Sequence, residues 1–169
     1  LTEKNFRLRE LLSYRLQTVA AIMAKSAAAR YKAEFDLSLG EWRAIAHLAE
    51  RSPMALNEVA KACGLDKGQM SRVIRSLVAR ELVVREVGRR GGRIIDLSLT
   101  SKGHALYRKV TAVATERNNA FQACLSEAEL LVLDMSLKKL SSIAIALMKA
   151  AKVSDISKRN VNRKNLLVD

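Results

Sequence analysis

From Asp66 to Arg75 the chain reads DKGQMSRVIR, and the polar or small positions between its apolar ones are Lys67, Gly68, Gln69, Ser71, Arg72 and Arg75. The chemistry open to this set is recognition by charge and hydrogen bond. An arginine fork fits the O6/N7 edge of guanine, a glutamine amide fits the N6/N7 edge of adenine, and lysine meets phosphate. Gly68 and Ser71 are small enough to let a backbone approach. A second basic group, Arg89, Arg90 and Arg93, follows in REVGRRGGR. Arginines on a loop tip enter a minor groove or clamp a phosphate backbone. A basic helix beside a basic hairpin points to double-stranded DNA.

The surrounding pattern supplies elements to hold both groups. Residues 6–31 carry Leu8, Leu12, Leu16, Val19 and Met23 at three- and four-residue steps, one apolar stripe on a long helix. SLGE from Ser38 is a capping box opening a helix over 38–48, and 57–62 reads as a short helix closed by Gly64 in a left-handed C-cap. Asp66 and Gln69 make a second capping box, after which Met70, Val73, Ile74 and Leu77 form a buried stripe. Two short helices joined by a glycine-containing turn are helix-turn-helix geometry, the second entering the major groove. Residues 82–84 and 94–97 read as two antiparallel strands. Residues 100–125 return to helix, and Ser126 with Glu129 repeats the capping box. Leu130, Leu133, Leu137, Leu140, Ala144 and Leu147 then form a heptad seam. The expected fold is mainly α (α+β): a winged helix-turn-helix at 36–100, flanked by dimerisation helices at 1–35 and 101–152, with a basic tail at 153–169.

The formal net charge of +13 favours an anionic partner, nucleic acid or an anionic membrane surface. No apolar run approaches the length of a spanning helix, and the helices lack the segregated aromatic face of interfacial anchors. The N-terminus lacks the apolar core of a signal peptide, so the expected location is cytoplasmic. No phosphate-cradling loop, nucleophile elbow or H-E-x-x-H motif is present, so no enzyme activity and no cofactor are expected. With only Cys63, Cys124, His47 and His104, no metal-ligand spacing appears. None of the seven aromatics lies between Arg43 and Leu106, which argues against a base-stacking reader of single strands. A winged-helix protein-interaction module that binds no specific DNA is the remaining alternative.

The segments LSLGEWRAIAHLAE (37–50), NEVAKACGLDKGQMSRVIRSLVARELVVR (57–85) and GGRIIDLSLTSKG (91–103) resemble the MarR family of bacterial winged-helix transcription regulators. The resemblance implies a homodimer held by helices from both chain ends and reading a pseudo-palindromic operator. It implies a repressor released by a small aromatic or anionic ligand, or by thiol oxidation. Carried over, the recognition helix is 67–76 and the wing arginine is Arg93. Two departures stand out. Gly91-Gly92-Arg93 replaces the family's D-x-R, removing the acid that would orient the arginine, and Gly68-Gln69 replaces small hydroxyl residues early in the recognition helix. Where family ligands sit, Tyr14, Trp42, Arg43 and His47 make a candidate wall, with Arg43 facing a carboxylate; the alternative is aromatic core and a surface arginine. Cys63, beside the helix-turn-helix turn, and Cys124 are the redox candidates, weighed against buried cysteine as plain core.

Overall fold

The computed structural model describes residues 7–87 and 95–165, with side chains described through residue 151. It divides into two units, Leu1–Thr115 and Glu116–Asp169, with one helix running across the boundary.

In the first unit a short 3-10 turn, Leu8–Glu10, precedes helix α1, Leu12–Phe35. The helix begins later than the apolar stripe suggests because Leu11 is extended, with φ −65° and ψ 129°. The stripe itself is open to solvent within one chain: Leu12 is 53% and Val19 56% exposed, and only Tyr31 of α1 is buried. Helix α2, Leu39–Glu50, starts at the Ser38–Glu41 capping box, with both reciprocal bonds made. Helix α3, Leu56–Cys63, ends at Gly64 with φ 67°, the left-handed cap expected there. Helix α4 is Lys67–Ala79.

The sheet differs from the sequence reading in having a third strand. Strand β1, Met54–Ala55, joins β2, Val83–Val87, and β3, Ile95–Leu99, in the antiparallel order β1-β3-β2. Two residues are too few to show alternation, so β1 is invisible to a periodicity argument. Strands β2 and β3 also sit later than expected. Pairing of Val83 with Leu99 runs through to Val87 with Ile95, taking Arg85 and Glu86 into the ladder. Polar side chains are admissible there because β2 buries only Val83.

The core is a single cluster. Leu37, Ile45, Leu48, Val59, Met70, Ile74, Leu77, Leu97 and Val110 are its largest fully buried members, drawn from the link before α2, from α2, α3, α4, the sheet and α5, Ser101–Gln122. The α5 start is locked to the β2 entry. The Thr100 amide donates to Leu82 O at 3.1 Å, and its hydroxyl donates to Glu81 O at 2.6 Å while accepting from Gly103 N at 3.0 Å. A Cβ on Gly103 would stand 2.2 Å from Leu82 O, so this approach requires glycine.

The second unit holds the end of α5 and helix α6, Glu127–Asn165. Ser126 and Glu129 make the expected capping box. The helix continues through most of the segment read as a basic tail, because no proline or glycine follows Gly103 to stop it. Of the heptad seam, Leu130 and Leu140 are half-buried, while Leu133, Leu137 and Leu147 are exposed.

Candidate nucleic-acid interface

Helix α4 exists because its ends and one face are both satisfied. Asp66 accepts from Gln69 N at 2.8 Å, and the Asp66 amide donates to Gln69 Oε1 at 3.3 Å. Two N-terminal donors are thereby paired while the other first-turn amides remain directed outward. Met70, Ile74 and Leu77 are fully buried and Val73 half-buried, as the stripe required. That leaves Lys67, Gly68, Gln69, Arg72 and Arg75 exposed on the opposite side, with Ser71 half-buried at its edge. Arg72 and Arg75, one turn apart, form no salt bridge among the described residues. A helix that projects unpaired guanidiniums and carries a capped N-terminus can meet both base edges and phosphates.

Gln69 caps the helix it belongs to. Its Oε1 accepts the capping bond, which leaves the amide NH2 and the second lone pair of Oε1 free to pair with another group. A Cβ on Gly68 would crowd the capping oxygen, Asp66 Oδ1, at 3.2 Å. The glycine's lack of a side chain keeps the centre of the outer face low.

Strands β2 and β3 bring Val87 and Ile95 opposite each other, both exposed. Arg89, Arg90 and Arg93 belong to the segment between them and lie outside the described residues. Arg85, exposed on β2, is a further cation on the hairpin that the sequence reading did not single out. Alternation would have hidden it, since Arg85 shares its strand face with buried Val83.

The ligand wall does not assemble as expected within one chain. Trp42 packs against Tyr31 at 5.8 Å and stacks on Tyr107 at 5.9 Å and 21°, tying α2 to α1 and α5. Tyr14 lies seventeen residues before Tyr31 on the same helix, about 25 Å away at 1.5 Å per residue. Helical rise therefore separates it from Trp42. Arg43 is exposed, and His47 Nδ1 lies 3.9 Å from Glu50 Oε2. A cleft of about 480 Å³ is instead lined by Arg80, Leu82, Lys102, Ala105, Leu106 and Lys109. Two of its cations are already engaged, Arg80 by carbonyls of Phe35 and Asp36 and Lys102 by Glu81.

Both cysteines are free. Cys63 is core, and burial pushes its thiol above the ordinary value, with the Arg43 charge opposing. Cys124 is exposed, its Sγ 3.0 Å from Phe121 O. Among the described residues no cluster of His, Cys, Asp and Glu could hold a metal, and no helix is long and apolar enough to cross a membrane.

Residues 35–94 match the model of the MarR family. No curated protein matches the sequence. Among solved structures, a MarR/EmrR family transcriptional regulator from Acinetobacter sp. ADP1 superposes with TM-score 0.74 at 24% identity, over 81% of this chain and 96% of that one. The MepR–DNA complex of Staphylococcus aureus superposes with TM-score 0.72 at 23% identity, over 78% and 97%. BpsR of Bordetella bronchiseptica, whose DNA binding is regulated by 6-hydroxynicotinic acid, does so with TM-score 0.72 at 20% identity, over 80% and 96%. The chain is thus MarR-like at 35–94 and shares the winged-helix fold of these regulators.

Proposed function

We propose that this MarR-like chain is a sequence-specific, double-stranded-DNA-binding transcription regulator acting as a homodimeric repressor. The carrying observation is α4: a capped helix following the Gly64 turn, buried on one side, with Lys67, Arg72 and Arg75 exposed on the other. The net charge of +13 supports a polyanionic partner. Lys67, Gly68, Gln69, Ser71, Arg72 and Arg75 form the base-reading face, and Arg89, Arg90 and Arg93 the wing contacts. The large apolar side chains on α1 and α6 that stay exposed among the described residues support a homodimer. Two recognition helices related by a two-fold axis read half-sites about one helical turn, ~34 Å, apart.

Release by a small aromatic or anionic effector rests on the family likeness. In that reading Trp42, Arg43 and His47 remain the candidate contacts on α2. Thiol oxidation is the weaker alternative because Cys63 is buried with a raised thiol pKa, leaving Cys124 as the accessible sulfur.

The test compares Arg72→Ala and Arg89→Ala on an inverted-repeat duplex and a scrambled one. Arg72→Ala is expected to weaken binding to the repeat by about 1–3 kcal/mol and to relax specificity, whereas Arg89→Ala weakens both duplexes alike and lowers the salt slope by about 1. Equal loss on both duplexes for Arg72→Ala contradicts base reading by α4.

A further inference from the structure

Glu41 is the one charged side chain that the core buries among the described residues, at 8% exposure. Its capping role accounts for one oxygen: Oε2 accepts from Ser38 N and Ser38 Oγ, each at 2.8 Å. The other oxygen does something a cap does not require. Oε1 accepts from the Ser76 hydroxyl at 2.6 Å and lies 3.9 Å from Arg80 Nη1. Ser76 belongs to α4 and Arg80 is its C-cap, so the carboxylate bridges the start of α2 to the last turns of the DNA-facing helix. Arg80 extends the joint to a third helix, donating to Asp36 O at 2.9 Å and Phe35 O at 3.3 Å at the end of α1. A cation there also satisfies carbonyls that the α1 terminus leaves open.

Burial alone would push the Glu41 carboxyl up. The hydrogen bonds from Ser76 and from the Ser38 amide and hydroxyl, with the Arg80 charge, outweigh it and hold the group below its ordinary 4.5. The side chain is therefore ionised at neutral pH, and its bonds are charge-assisted and directional. The apolar stripe of α4 fixes which face is buried but resists sliding and rocking weakly, because apolar contacts are non-directional. A bond at Ser76 and an ion pair at Arg80 fix the helix along its axis and in its tilt.

Resting on the DNA-recognition reading above, we infer that Glu41 is a positioning residue for sequence discrimination. With Ser76 and Arg80 it sets the angle at which α4 presents Gln69, Arg72 and Arg75, and it ties that angle to the ends of α1 and α2. It touches no DNA itself. Base contacts tolerate misplacement poorly, whereas phosphate contacts by long cations adapt, so loosening this joint lowers specific affinity and spares non-specific affinity.

The experiment titrates the full chain, as wild type, Glu41→Gln, Ser76→Ala, Ser76→Thr and the Glu41→Gln/Ser76→Ala pair, against an inverted-repeat duplex and its scrambled counterpart. Glu41→Gln is expected to lower the repeat-to-scrambled affinity ratio about tenfold, from loss of charge-assisted bonds, with scrambled binding unchanged. Ser76→Ala should lower the ratio about threefold, and the double variant should match Glu41→Gln alone, since both remove one interaction. Ser76→Thr keeps the hydroxyl and keeps the ratio. Unchanged scrambled binding reports a folded chain, and Ser76→Ala carries the test if Glu41→Gln does not fold. An unchanged ratio in Glu41→Gln or Ser76→Ala, or strictly additive losses, overturns the inference; additivity would make Ser76 a direct DNA contact. A wild type that does not discriminate removes the recognition reading itself, before any variant is compared.

Discussion

At the scale of single residues, the most legible features are those whose partners lie within a turn. Each Ser or Asp followed three residues later by Glu or Gln formed its reciprocal cap, at Ser38, Asp66 and Ser126. Gly64 took the positive φ its position between two helices demanded. What pattern could not show is the second duty of such residues. Glu41 is readable as a cap, yet its bond to Ser76 spans 35 positions and exists only because α2 and α4 cross there. The two cysteines show the same limit, since sequence alone left both as redox candidates and packing separates them. Cys63, buried with its thiol pKa raised above 9.0, should resist a thiol reagent such as DTNB in the native chain, while exposed Cys124 reacts promptly. One fast equivalent and a second released only on unfolding is the expected result. Two fast equivalents would put Cys63 in reach of oxidants and revive it as a sensor.

At the scale of elements, helices were easier to read than strands. Caps and apolar stripes together specify ends and a face, so α2, α3 and α4 came out near their observed limits. Strand β1 has two residues and no internal pattern, and the β2 limit depends on the pairing of Val87 with Ile95 on another strand. The link between β2 and α5 was legible only as a motif, Leu99-Thr100-Ser101-Lys102-Gly103. Its physical content is that Thr100 bonds both Glu81 and Leu82 while Gly103 admits the Leu82 carbonyl. Gly103→Ala must displace backbone rather than a flexible side chain, and overpacking of this kind costs about 1–3 kcal/mol. Urea unfolding should register that loss, whereas Gly68→Ala, exposed on a helix, should change stability by less. Equal stability of Gly103→Ala and wild type would mean that α5 can shift without consequence for the wing.

At the scale of the whole molecule, the apolar stripe of α1 and the heptad seam of α6 both lie on helices, and among the described residues much of each stays exposed. Leu16, Val19, Ile22 and Met23 on α1, and Leu133, Leu137 and Leu147 on α6, remain exposed. A charge placed on such a face should leave the fold intact and abolish pairing. The wild type is therefore expected to sediment as a dimer and Leu16→Glu as a monomer, with far-ultraviolet circular dichroism unchanged. A monomeric wild type would contradict the two-fold arrangement. The central claim, that α4 reads DNA sequence, is tested most directly by fluorescence-anisotropy titration of an inverted-repeat duplex from upstream of the protein's own gene against a scrambled duplex, across several salt concentrations. The expected result is preference for the repeat by ~10³ or more with two chains per duplex. Equal and steeply salt-dependent binding to both would contradict it, leaving only the attraction of a chain of net charge +13 for phosphate.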